Sequence, residues 1–179
     1  MPDNHHALKA GASGNGQALK LGYSPCPNDT FIFYALVRGR IDTGGLAFEE
    51  VLLDVETLNQ KALRGELDIT KVSFHAYCYL RDTYTLLASG GAMGRGCGPL
   101  IVAGSATSAA DLRGAKIAIP GRLTTAFLLL KLFDPGLAEN TVVMPFDRIM
   151  AAVRDGEADA GLIIHESRFT YRGFGLAEV

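Results

Sequence analysis

The chain has 179 residues, 48% hydrophobic and 20% charged, and its 17 basic and 19 acidic side chains give a formal charge of −2. That composition excludes disorder throughout, because the apolar content is enough to offset the entropy of ordering the chain. It also excludes a polycation built to neutralise many phosphates, so nucleic acid is not an expected partner.

Residues 1–18, which include His5 and His6, carry neither the basic nor the apolar segment of an export signal and read as a short tail. Leu19–Tyr23 reads as a first strand, followed by the turn-rich Ser24-Pro25-Cys26-Pro27-Asn28-Asp29-Thr30. The two prolines keep a helix out of that loop, and Asn28 or Asp29 then caps a helix over Phe31–Arg38 that stops at Gly39. Leu46–Leu53 is the next expected strand, and Val55–Arg64 the next helix, closed by Gly65. Ile69–Val72 follows as a short buried strand, Phe74–Leu80 as a helix and Thr85–Ser89 as another strand. A glycine-rich run from Gly90 to Gly98 then leads into the apolar Pro99–Ala103. The remainder alternates again: strand Lys116–Ile119, helix Thr125–Phe133, strand Thr141–Met144, helix Arg148–Arg154 and strand Gly161–Ile164. Strands alternating with helices predict parallel strands joined by right-handed crossovers.

No apolar stretch approaches the roughly 20 residues of a spanning helix, so no membrane association is expected. The three cysteines, Cys26, Cys78 and Cys97, show neither CxxC nor zinc-ligand spacing. They favour a reducing, cytoplasmic setting over a disulfide framework.

Two segments resemble each other. Ala62-Leu63-Arg64-Gly65-Glu66-Leu67-Asp68-Ile69 matches Ala152-Val153-Arg154-Asp155-Gly156-Glu157-Ala158-Asp159-Ala160, each ending a helix at glycine and turning through Glu-x-Asp into a strand. Polar clusters follow both strands: Lys71, Ser73 and His75 after the first, His165, Glu166 and Ser167 after the second. Ligands of open α/β sheets sit outside the carboxyl ends of the strands. The pattern predicts two α/β lobes, 19–100 and 101–179, around a cleft for a small molecule.

Chemistry-bearing residues are few. His165, at a strand end, is the candidate for proton transfer near neutral pH; a histidine bonding a loop carbonyl is the competing reading. His75 lies between Phe74 and Tyr77, which favours packing. Thr124 and Thr125, where Gly121-Arg122-Leu123 turns into a helix, fit either helix capping or the holding of a ligand oxygen. Cys26 has no adjacent base and reads as structural. The glycine-rich runs lack phosphate-loop order, and no metal-ligand motif stands out, so neither metal nor organic cofactor is expected.

The segment Leu21-Gly22-Tyr23-Ser24-Pro25-Cys26-Pro27-Asn28-Asp29-Thr30-Phe31 resembles the opening signature of the 1,4-dihydroxy-6-naphthoate synthase family of the futalosine route to menaquinone. Asp68–Ala76, Gly121–Ala126 and Ile164-His165-Glu166 are similar to later segments of that family, in the same order. The resemblance implies a periplasmic-binding-protein-like (type II) α/β fold used as a cytoplasmic lyase. It further implies conversion of cyclic dehypoxanthinyl futalosine to 1,4-dihydroxy-6-naphthoate without metal or organic cofactor. It places the proton-abstracting base on His165 and substrate contacts on Lys71, Val72, Ser73, Thr124 and Thr125. Family members continue past the position of Val179 and return to the first lobe. The resemblance therefore predicts a truncated chain with an incomplete first lobe and uncovered apolar surface, which a separate chain or self-association would cover. Two other readings share the fold: chorismate dehydratase, disfavoured by the Ser-Pro-Cys-Pro-Asn-Asp-Thr opening, and a non-catalytic solute-binding protein.

Overall fold

The computed structural model describes residues 18–104 and 108–179, so all but the last residue of the predicted tail lies outside the described residues. Among the described residues eight strands form two sheets. In the first, β1 (Leu19–Tyr23) is flanked by β2 (Phe48–Leu52) and β3 (Ile69–Thr70), both parallel to it. The second has the order β6-β5-β7-β4-β8, built from β4 (Leu100–Ala103), β5 (Ile117–Ile119), β6 (Thr141–Val143), β7 (Ala160–Ile163) and β8 (Ala177–Glu178). Among the described residues no helix is long and apolar enough to cross a membrane.

The expectation of parallel strands throughout is corrected. β4 runs antiparallel to both β7 and β8, which makes the second sheet mixed. The glycine-rich run enters β4 from the cleft side, so β4 follows no helical crossover and lies beside β7 with the opposite sense. Thr85–Ser89 is not a strand. A strand needs a neighbour to take its ladder bonds, and this run finds none; Leu86 and Leu87 stay exposed.

Helix boundaries follow local chemistry. The first helix, α1, spans Pro27–Val37 and so starts earlier than expected, with Pro27 in the first turn and Cys26 as N-cap. Proline is well placed there, because a first-turn N–H has no intrahelical partner. Helix α2 (Val55–Leu63) opens on Asp54, whose carboxylate accepts from the Thr57 N–H at 3.0 Å, and it buries Leu58, Asn59 and Ala62 on one face. Phe74–Tyr77 forms a single helical turn, α3, shorter than its predicted length. Helix α4 (Thr125–Phe133) buries Ala126, Phe127 and Leu130, and α5 (Ile149–Arg154) buries Ile149, Met150, Ala152 and Val153. The chain then forms α6 (Ser167–Thr170) and a 3₁₀ turn over Tyr171–Phe174 before β8.

The repeated segments occupy equivalent places. The order β2-β1-β3 recurs as β6-β5-β7, with all pairs parallel. Gly65 and Gly156 both end their helices at positive φ, +67° and +76°, where a side chain would be strained. Each following aspartate then clips the start of the neighbouring strand. The Lys20 N–H donates to Asp68 at 2.8 Å, and the Lys116 N–H donates to Asp159 at 2.7 Å. In both cases the aspartate's own N–H returns a bond to the same lysine's carbonyl, at 3.2 and 2.9 Å. Asp159→Ala is expected to lower stability by about 1 kcal/mol, the usual worth of one such bond, read as a shifted urea midpoint.

The two units differ in how well they are covered. Ile117, Ile119, Leu162 and Ile163 are completely buried in the second, and each contributes about 1.5–3 kcal/mol of burial energy. In the first, α1 buries only Asp29 and leaves Phe31 and Tyr34 87% and 57% exposed. Tyr23 is its main aromatic anchor, packed on Phe33 with ring centroids 4.9 Å apart. Burial, and then the Glu50 carboxylate to which its hydroxyl donates, push the Tyr23 phenol up to about 12. A phenol in the unfolded chain ionises near 10. Between roughly pH 10 and 12 the unfolded chain sheds this proton and the folded one keeps it, so stability falls with rising pH across that window. Tyr23→Phe is expected to flatten that alkaline loss, measured by thermal melts at stepped pH.

Candidate active site

A cleft of about 1310 Å³ opens at the carboxyl ends of β1, β3 and β7 and at the N-termini of α1 and α4. Lys71, Val72, Ser73, Thr124, Thr125 and His165 all line it. Each arrives there because a strand ends or a helix begins at that point.

His165 follows β7 and has φ +55°, the one non-glycine residue with positive φ among the described residues. An L-residue in that conformation costs about 1–2 kcal/mol, so β7 and α6 on either side impose it. The Arg168 N–H donates to the His165 carbonyl at 3.2 Å and closes the turn into α6. Phe146 presents its ring to the imidazole edge-on, with centroids 6.1 Å apart and planes at 88°. The imidazole is exposed to the cleft.

The two threonines divide the alternatives left open above. The Thr124 hydroxyl donates to the Gly121 carbonyl at 2.7 Å and accepts from the Phe127 N–H at 3.3 Å, so it is fully engaged in capping α4. The Thr125 hydroxyl accepts from the His75 N–H at 3.4 Å, which leaves its own O–H free to donate into the cleft. His75 is buried and packed, as its aromatic neighbours imply. Its Nδ1 lies 3.2 Å from the Thr124 carbonyl, a contact that requires the proton on Nδ1.

Lys71 is already neutralised. Its ammonium lies 3.2 Å from Asp29 and donates to the Gly90 carbonyl at 3.2 Å. Asp29, 7% exposed, also accepts from the Ser24 N–H at 3.2 Å and the Ser24 hydroxyl at 2.8 Å. The proline-rich opening, the end of β3 and the glycine-rich run are thus tied at one point. Val72 packs beside Ala62, Ala76 and Leu80.

Ser73 is held from behind by Asn59, which is completely buried. The Asn59 amide oxygen accepts from the Ser73 N–H at 3.0 Å, and its amide nitrogen donates to the Ser73 hydroxyl at 3.2 Å. With its oxygen accepting, the Ser73 O–H is left to donate outward. Sequence reasoning missed Asn59, Asp29 and Phe146. The signal for Asn59 was present, since an amide on the buried stripe of α2 between Leu58 and Ala62 needs a polar partner. Among the described residues no three His, Cys, Asp or Glu side chains converge to hold a metal ion.

Two units of this strand order around a cleft define a periplasmic-binding-protein-like fold, and solved structures share it. The chain superposes on the alkanesulfonate-binding protein of Xanthomonas axonopodis pv. citri with a TM-score of 0.62 at 17% identity, covering 90% of this chain and 59% of that one. A crystal structure from Archaeoglobus fulgidus matches with a TM-score of 0.81 at 47% identity, covering 90% of this chain and 59% of that one. The family model described as menaquinone biosynthesis matches residues 19–179, and the chain belongs to that family. It is 55% identical over 163 residues to the 1,4-dihydroxy-6-naphtoate synthase of Thermus thermophilus, 91% of this chain and 58% of that protein. It is 49% identical over 166 residues to the enzyme of the same name from Streptomyces coelicolor, 90% of this chain and 58% of that protein. The chain thus spans about 58% of the length of the curated relatives it matches.

Proposed function

We propose that this chain carries the site of a cytoplasmic carbon–carbon lyase that converts cyclic dehypoxanthinyl futalosine to 1,4-dihydroxy-6-naphthoate. The observation that carries this reading is His165 held at φ +55° over the cleft that also receives Ser73 and Thr125. Backbone strain of that kind persists where the surroundings impose it, and it gathers at sites of chemistry. In this reading the unprotonated imidazole takes a proton from the cyclic substrate. The electron pair left behind drives cleavage of a carbon–carbon bond, the sugar-derived portion departs with the bonding pair and takes the proton back from the imidazolium, and aromatisation of the bicyclic ring makes the step downhill. The Ser73 and Thr125 hydroxyls donate to oxygens that gain charge, in a cleft that excludes water once filled. Thr124 contributes through the turn it caps, and Lys71 through the loops it ties.

The test is an assay of the purified chain with cyclic dehypoxanthinyl futalosine, following the naphthoate by absorbance beside a His165→Ala variant. Product from the wild type, lost in the variant, supports the reading. A folded chain that binds the substrate and never turns it over would make it a binding protein instead.

A further inference from the structure

Two residues that do not line the cleft connect its two sides. Glu56, on the first turn of α2, reaches across to the turn before α4, where its Oε2 accepts from the Leu123 N–H at 3.1 Å. The same oxygen lies 3.5 Å from the Asn59 amide nitrogen, and the Glu56 Oε1 accepts from Gln60 at 3.1 Å. The approach is close. A Cβ built on Gly121 would fall 2.5 Å from the Glu56 Cδ and 2.6 Å from its Cβ, closer than carbon atoms pack, so the glycine leaves room for this side chain. Asn59 passes the connection on to Ser73, and Leu123 precedes the Thr124 cap.

We propose that Glu56 is a positioning residue, a clamp that sets the spacing between the Ser73 and Thr124–Thr125 sides of the cleft and, through Asn59, keeps the Ser73 hydroxyl a donor. Chemistry fixes the polarity. A carboxylate only accepts, so the Asn59 nitrogen must face it; the Ser73 N–H only donates, so the Asn59 oxygen must face that. Both constraints select one amide orientation, and in it the Ser73 oxygen receives a hydrogen and presents its own to a ligand. His75 makes a parallel tie to Thr124 and Thr125, so the turn before α4 is held at two points.

This inference rests on the proposed synthase reading for its catalytic arm, and its structural arm stands independently. The variants are Glu56→Ala, Glu56→Gln and Gly121→Ala, with amide hydrogen exchange read residue by residue by NMR and steady-state kinetics on cyclic dehypoxanthinyl futalosine. Glutamine can place its single carbonyl oxygen where Oε2 stands and keep both contacts, whereas alanine keeps neither. Glu56→Ala and Gly121→Ala are expected to speed exchange at Leu123 and Ser73 together by about tenfold or more, the usual effect of losing a charge-assisted bond. Amides inside β1 and β5 should stay unchanged, and Glu56→Gln should remain within about threefold of the wild type. In turnover, the alanine variants should raise KM by at least as large a factor as they lower kcat, since the clamp spaces binding groups and touches no reacting atom. Release of Leu123 without Ser73, or glutamine as damaging as alanine, would overturn the clamp. A wild-type chain without turnover defeats the synthase reading alone, because the exchange arm still decides the clamp.

Discussion

On the proposed lyase reading, His165→Ala and His165→Gly are both expected to lose turnover by about 10²–10⁴, the usual cost of removing a general base, and yet to differ in stability. The backbone at this residue stands at φ +55°. Alanine keeps the left-handed penalty and glycine does not, so the glycine variant should be the more stable of the two by about 1 kcal/mol. Both lose the edge-on contact with Phe146, which cancels in the comparison. Activity then follows the imidazole and stability follows the backbone, a separation that melting curves and initial rates measure on the same preparations. An alanine variant turning over within threefold of the wild type would remove the histidine from the mechanism.

Lys71→Met is expected to destabilise the fold by about 2–4 kcal/mol, somewhat below the cost of breaking a fully buried pair because the lysine keeps some solvent. Its side chain is 21% exposed and that of Asp29 10%, so removing the ammonium strands a carboxylate that water scarcely reaches. Adding Asp29→Asn should recover most of the loss, because the buried group is then neutral and can still accept from Ser24. The double variant also separates two roles for Lys71. If the lysine acts by tying loops, substrate affinity returns with stability; if it holds the substrate directly, affinity stays low in a stable protein. Urea titration and ligand titration on the wild type and the two variants distinguish these outcomes.

The strands and helices that a local pattern specifies were legible in the chain. β1, α2, β5 and α4 carry their own apolar patterns, and Thr124 announces a helix start in its residue type. The Glu-x-Asp repeat was readable for the same reason, since the aspartate clip needs only the turn and the neighbouring strand. Thr85–Ser89 misled because strand-like composition says nothing about whether a pairing edge exists. The sense of β4 depends on where the glycine-rich run delivers the chain, which no periodicity records. At the site, the family resemblance pointed to Lys71, Val72, Ser73, Thr124, Thr125 and His165, and all six line one cleft. It did not show that Asp29 neutralises Lys71 or that Glu56 meets Leu123, because those contacts join segments far apart in the chain.

The doubled strand order means that the cleft meets the same architectural position twice. Counted from Asp68 and Asp159, the counterpart of His165 is Phe74, and both residues face the cleft. One copy offers a phenyl ring where the other offers an imidazole. The same placement accommodates a left-handed backbone at His165 and the start of a helical turn at Phe74. The two sides of the cleft thus present unlike surfaces from like architecture, a phenyl ring on one and an imidazole on the other.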